Sequence, residues 1–516
     1  MPKEKSKLSM MMFLGHCNPT LQQIRLLTGG TGSTFFFPGQ DLHLHLPGGT
    51  GYVEMERLAP DPAFVFRLWQ LFLDRVNPLT KLIHVPSLQP IIVEASTDLG
   101  VVPAGMQALL FAIYAMAVVS LSDAECTAIF GQSRDTLLRQ FISGAQRSLI
   151  EANFMQSFDI TLLQAFLLYL LSLENCYDLE VVWILSANSI RVAQKMGYHR
   201  DGEITGLQPF EVEMRRRIWW YILKQDARLS DAAAPTMSIL PSMFDKKPPS
   251  NINDVDMHPA TSELPSWNYG PTEMSFVLLR NEVHICRQTG EAGLGVSDFA
   301  LAMVQGSIRT DCKDPEELMK LNLEDLEDAA RAFDGELAEM ESQYVDASAG
   351  GVHGAARCVR PLLASKWVDI LKYLDRRLQE RDTGALYPSV ILYEYLVTDV
   401  ECKLDVRDRM SALGFGWYMN VRFELDHIAT MIAKTRHEPT GLLAERAWRA
   451  LERVYDQNPE LFDLSNGPYS LLADYVQEAW SVRVEALMQS GYMTQLPNFM
   501  LRIQSIRDLE AQLDIC

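Results

Sequence analysis

The sequence predicts an all-α fold, a multi-helix array behind an irregular N-terminal lead. Three observations predict it. Apolar residues recur at helical spacing from Asp61 onward, no convincing strand alternation occurs in 61–300, and prolines mark the breaks between periodic segments. With 516 residues and 48% hydrophobic content the chain has ample material for a large core.

Residues 1–60 read as a flexible, glycine-rich segment, with TGGTGSTFFFPG at 28–39 and HLHLPGGTG at 43–51. The GGTGST string lacks the lysine of a phosphate-binding loop, so a linker is expected. His43 and His45 have no nearby third ligand and are read as loop residues rather than a metal pair. From Asp61 the texture changes. Asp61 caps and Pro62 opens a helix burying Val65, Leu68, Trp69, Phe72 and Val76, and Asn77-Pro78 ends it. A shorter segment follows Pro86, and LLFAIYAMAVVSL at 109–121 reads as a buried helix. Ser122 and Glu125 have capping-box spacing, and periodicity predicts helices over 132–152 and 159–174.

The densest information lies in Val181–Ala233. Val181, Leu185, Val192 and Met196 share one helical face, Gly197 supplies a left-handed stop, and His199-Arg200-Asp201-Gly202 forms the exit turn. A second helix opens at Pro209, with Glu211 and Glu213 near its positive end and Ile218, Trp219, Ile222 and Leu229 as its apolar bulk. The stretch 234–272 holds seven prolines and is expected to be mostly loop, leading to a helix near Thr272.

The strings SANSIRVAQKMGYHRDG, EMRRRIWWYILKQDARLSD and NINDVDMHP, with Pro271-Thr272-Glu273-Met274, resemble the fungal-specific transcription factor domain. That domain is the regulatory middle region of fungal zinc binuclear cluster proteins. LFLDRVNPLTKLIHVPSLQPII at 71–92 resembles its opening and FGWYMNVRFELDHIATMIAKTRHEP at 415–439 its late helices, so the likeness spans roughly 61–440. The resemblance implies an all-α regulatory domain whose signature falls on Arg191, Gly197, His199, Arg200, Asp201, Arg215, Arg216, Arg217, Trp219, Trp220, Asn253, Asp254 and Asp256. Residues 61–300 are read as its signature part and 301–516 as a C-terminal helical part continuous with the same core.

Residues 311–341 carry twelve Asp/Glu against three Lys/Arg and read as amphipathic helix with a solvated acidic face, the alternative being an acidic activation segment. An exposed connection is expected at 344–357. Helices follow at 359–381, 388–411, 413–436 and 441–456, and then a polar helical tail.

The net charge of −20 repels phosphate, so an extended nucleic-acid surface would require a basic module. The eight cysteines are scattered, the closest pair being Cys286 and Cys312, 26 apart. The family's reader needs six cysteines within about thirty residues to share two zinc ions, and that pattern is absent from this sequence. Arg215-Arg216-Arg217 is the one tight basic cluster. Glu211 and Glu213 lie one turn before Arg215 and Arg217, so surface or interhelix ion pairs are expected there, with Asp226 as a further partner. Asp254 and Asp256 read as a structural turn rather than a cation site. No nucleophile elbow, phosphate loop, dinucleotide fingerprint or zinc-protease helix occurs, so no enzyme, cofactor or metal is expected. No apolar run reaches the ~18 residues of a membrane span, and MPKEKSKLSMMMFLG lacks a signal-peptide cleavage site.

The expectation is a nuclear regulator of metabolic or secondary-metabolite genes. It would work through transcription factors or co-regulators, or as a dimer, and touch DNA only indirectly. The alternatives are a metabolite-binding helical sensor with a candidate pocket at Trp219, Trp220 and Asp226, and a zinc cluster factor whose reader segment has been cut away.

Overall fold

Asp61 caps the first long helix as its sequence requires: its carboxylate accepts the Ala63 N–H at 2.9 Å, and Pro62 occupies the first turn, where a missing N–H costs nothing. The computed structural model describes residues 55–174, 179–203, 206–233, 239, 243–245, 247–263, 268–289, 323–362, 388–419, 425–465 and 467–513. All regular structure among them is helical, with no strand. The histidine pair at 43 and 45, both glycine-rich strings and residues 311–322 of the acidic stretch lie outside the described residues.

The helices, in chain order, are α1 Met55–Leu58, α2 Pro62–Arg75, α3 Asn77–Thr80, α4 Val85–Thr97, α5 Ala104–Val119, α6 Asp123–Phe130, α7 Arg134–Glu151, α8 Ile160–Leu173, α9 Leu179–Lys195 and α10 Pro209–Ala233. After a loop come α11 Ser275–Thr289, α12 Leu323–Tyr344, α13 over residues 351–362, α14 Pro388–Ala412, α15 Gly416–Met419, α16 Leu425–His437, α17 Leu442–Gln457, α18 Gly467–Gln489 and α19 Asn498–Leu513.

Helix α5 is the axis of the N-terminal half. Its residues from Ala108 to Val119 are all buried, because α2, α7 and α8 pack around it. A helix enclosed on every side needs no polar face, which is why the sequence there is apolar throughout. Helix α8 is likewise buried from Leu162 to Leu173, where the polar Gln164 and Ser172 donate to the Leu82 and Tyr169 carbonyls. Gly144 lets α7 lie close over α5, since a Cβ at that position would fall 2.4 Å from the Phe111 ring. The capping box of Ser122 and Glu125 forms in both directions and starts α6.

A second apolar cluster is built from Tyr393, Leu396, Val397 and Val400 of α14 with α16, α17, α18 and α19. Trp448 meets Trp480 edge-on at 4.9 Å, and Tyr455 stacks on Phe499 at 4.7 Å. Further along α14, Val406 and Met410 belong to the first cluster, as do Phe415 and Trp417. The Trp417 indole N–H donates to the Arg75 carbonyl at the end of α2, at 2.7 Å. One late segment is thereby fastened to the start of the fold.

The shorter segment after α2 is the helix α4, in which Pro86 sits in the first turn and Pro90 is accommodated within its length. Three expectations need correction. The connection expected at 344–357 turns helical at 351, and Ala355 and Ala356 are buried. The helix expected over 413–436 opens later: Gly414 adopts φ +83° and α15 starts at Gly416, α16 runs Leu425–His437, and 420–424 lie outside the described residues. The tail helix α19 is amphipathic rather than polar, since Phe499, Met500 and Ile503 are buried.

Gly144→Ala gains about 1 kcal/mol of helix propensity but forces the buried Phe111 ring to move at a cost of up to about 3 kcal/mol. Urea denaturation should therefore show a net loss of about 1–2 kcal/mol.

Candidate functional site

Successive helical residues point about 100° apart, so the three arginines on α10 reach three different surroundings. Arg215 pairs with Glu211 at 2.6 Å, donates to the Met196 carbonyl at 3.2 Å and lies over the Tyr198 ring at 4.8 Å. It thereby secures the end of α9, where Gly197 takes φ +77°. Arg216 forks onto both Asp201 oxygens at 3.0 and 3.1 Å and reaches Glu203 at 2.6 Å. Asp201 also accepts the Lys247 N–H at 3.0 Å, while its own N–H donates to Asp245 at 2.9 Å. Burial alone would raise the Asp201 carboxyl, but the Arg216 hydrogen bonds and two backbone donors hold it below the usual range.

Arg217 is the centre of the third and deepest group. It has no exposed side-chain surface, bonds Asp254 at 2.5 Å and Glu213 at 3.2 Å, and donates to the Ile252 carbonyl at 3.3 Å. The other Asp254 oxygen lies 2.9 Å from the Lys81 ammonium, which also meets Glu273 at 3.0 Å. Lys81 stands in the left-handed region at φ +48° where α3 ends, and so points inward from the turn. Glu213 accepts the Ser250 N–H, Glu273 accepts the Asp254 N–H, and His84 Nε2 bonds the Asp254 carbonyl at 2.9 Å. Burial works to raise the Asp254 carboxyl; Arg217 and Lys81 outweigh it and hold the pKa at about 2.

The loop that carries Asp254 is held by its asparagines. Asn251 donates to the Asn268 and Gly270 carbonyls and accepts the Thr272 hydroxyl, while Asn253 accepts the Glu273 N–H at 3.1 Å and donates to Asp256 at 3.2 Å. Arg200 pairs with Asp245 at 3.0 Å on the surface, and exposed Arg191 meets Gln194 at 3.0 Å. Trp219 is fully buried beside His199 and Phe244, while Trp220 donates its indole N–H to the Lys247 carbonyl at 2.9 Å. Asp226 accepts the Ile239 N–H at 3.1 Å. The pairing expected between Asp226 and the arginines is not formed, because Arg217 turns to Asp254 instead. The ion pair of Glu213 and Arg217 is likewise fully buried rather than at the surface.

The structure thus gathers Arg217 and Asp254 into one network, Arg216 and Asp201 into a second, and leaves Arg191 outside both. Lys81 and Glu273 were missed as partners, although both lie in the quoted blocks. A charged residue set between apolar neighbours, as in Leu79-Thr80-Lys81-Leu82-Ile83, was the available signal. Among the described residues no group of three or more His, Cys, Asp or Glu is arranged to hold a metal ion.

Residues 69–230 match the fungal specific transcription factor domain. The chain is 35% identical over 459 residues to the pyriculol/pyriculariol biosynthesis cluster transcription factor 1 of Pyricularia oryzae, covering 87% of this chain and 59% of that protein. It is 30% identical over 445 residues to the aurofusarin cluster transcription factor of Gibberella zeae, covering 84% and 62%. A transcriptional regulator of Aspergillus aculeatus, AacuB, is 27% identical over 480 residues, covering 92% and 63%. The chain therefore spans about three fifths of the length of these relatives.

Chemically the site is a clamp. It ties α3, α10 and the 250–274 loop together by buried charge. Removing one partner strands the others without water. Arg217→Met should lower stability by about 3–5 kcal/mol in a denaturant titration, whereas Arg191→Ala should stay within about 0.5 kcal/mol of the parent. The depressed Asp254 pKa makes its contribution, about 2 kcal/mol, complete above the unfolded value near pH 4 and lost as pH falls towards about 2. Asp254→Asn should flatten the stability profile across that window.

Proposed function

The chain carries a fungal specific transcription factor domain at residues 69–230, and from that premise we propose that it is the control part of a fungal regulator of secondary-metabolite cluster genes. The carrying observation is the reach of the likeness: 87% of the chain aligns with a protein named for one biosynthesis cluster, well beyond the signature helices. Both apolar clusters fall within a span of that size.

The regulator acts in the nucleus and influences promoters through protein contacts. Two features support this. The charge of −20 repels a phosphate backbone, and the tightest basic cluster, Arg215 to Arg217, is paired with carboxylates of the same chain. Promoter contact is then supplied by a DNA-binding transcription factor or co-regulator, with self-association as one route to it. No step of this role uses a cofactor or a catalytic residue.

Affinity purification from nuclei should recover a sequence-specific DNA-binding protein with the chain, and deletion of its gene should lower the transcripts of one biosynthetic cluster. The purified chain alone should leave promoter fragments of that cluster unshifted at physiological salt. A tight shift by the chain alone would overturn the indirect mechanism, and unchanged transcripts would overturn the regulatory role.

A further inference from the structure

Farther along α10, past the signature network, a second group of charge, partly buried, has an excess of cations. Glu174, at the end of α8, accepts Arg228 at 2.5 and 2.7 Å and the Gln225 amide at 3.1 Å. One carboxylate is thereby spent on one arginine. Lys224, a single turn before Arg228, is half-buried, and the charged groups acting on it are Arg280 of α11 and Arg228, both of its own sign. Burial and these two neighbours bring its pKa down to about 7.

Donors around this point are left over as well. The Arg280 Nε is shut off from solvent with no hydrogen-bond partner, and so is the Tyr221 hydroxyl. Asn281, next to Arg280, is 1% exposed, and neither atom of its amide is bonded. Tyr418 of α15 joins the group from a fourth helix. It packs edge-on against Phe276 of α11 at 5.2 Å and lies in electrostatic range of Tyr221 and Arg228. Among the described residues the charged and titratable groups gathered here are therefore Glu174 from α8, Tyr221 and Arg228 from α10, Arg280 from α11 and Tyr418 from α15. Of the three cations only Arg228 is paired with a carboxylate, Glu174, among the described residues. Partly desolvated like charges beside idle N–H and O–H donors are costly to keep, and the chemistry that relieves them is an anion with several acceptor oxygens.

We propose that the junction of α8, α10, α11 and α15 is a binding site for a small oxyanion, a metabolite bearing a carboxylate or phosphate, held by Lys224 and Arg280. Its role as an effector of gene control rests on the regulator reading above, whereas binding itself does not. The site differs from the candidate pocket at Trp219, Trp220 and Asp226, whose indoles are packed in the core and whose carboxylate holds Ile239.

The test is thermal denaturation of the purified full chain with inorganic phosphate, with succinate, and with chloride at matched ionic strength. At least one oxyanion should raise the melting temperature above the chloride control, more at about pH 6 than at about pH 8, because Lys224 is then charged. Phosphate alone or succinate alone raising it would identify the source class. Lys224→Met should weaken binding about tenfold or more. Without ligand it should melt no lower than the parent, since a repelled charge is removed. Lys224→Arg should keep binding and lose the pH dependence. Equal melting in oxyanion and chloride, or an undiminished response in Lys224→Met, would overturn the proposal. Neither outcome bears on the nuclear co-purification, so the two readings fail separately.

Discussion

Two cations, Lys81 and Arg217, are almost wholly out of water, and Asp254 is the one carboxylate that touches both. Each ion taken from water costs several kcal/mol, so neither cation is tolerable without close opposite charge and a full set of hydrogen bonds. Glu213 and Glu273 add further negative charge, and backbone N–H groups of Ser250 and Asp254 satisfy their remaining oxygens. The geometric effect is large. Short α3, the middle of α10 and the proline-rich loop must all be in place before any of these charges is neutralised, so the network selects one arrangement of three distant segments. Packing of Trp219 and Trp220 against Phe244, and the ordering of the loop asparagines, presuppose that arrangement.

Much of the helical layout was readable because its signals are local. Asp61-Pro62, the Ser122–Glu125 box and Gly197 act within a turn or two of themselves, and α5 announces its burial by having no polar face. The errors occur where distant contacts decide. Ala355 and Ala356 are small residues in a glycine-rich stretch that looks like linker, and only packing against the first cluster makes them core. The later helix start beyond Gly414 lies in an apolar, aromatic run with helical periodicity, where a positive φ at one glycine overrides the pattern.

At the site the limit was of a different kind. A pair one turn apart, Glu211 with Arg215, could be named from spacing alone. That Glu213 and Arg217, with the same spacing, lie in the interior could not, because depth depends on Lys81 and Asp254, 136 and 37 residues away. The like-signed group of Lys224, Arg228 and Arg280 was equally hidden: in the sequence Arg280 is one more charge on an amphipathic helix. The contrast between the two groups is informative, since the same helix joins one set of cations met by three carboxylates and another in which, among the described residues, only Arg228 is met.

The indole of Trp417 bonds the backbone of Arg75 across 342 positions of chain. During synthesis α2 to α8 emerge and can collapse around α5 long before Trp417 leaves the ribosome. The carbonyl at the end of α2 is without this partner until Trp417 has been made. Closing so large a loop is entropically slow. The clasp is therefore among the late events of maturation, and a nascent chain stalled before α15 would display an unfinished, chaperone-attracting edge at that helix end.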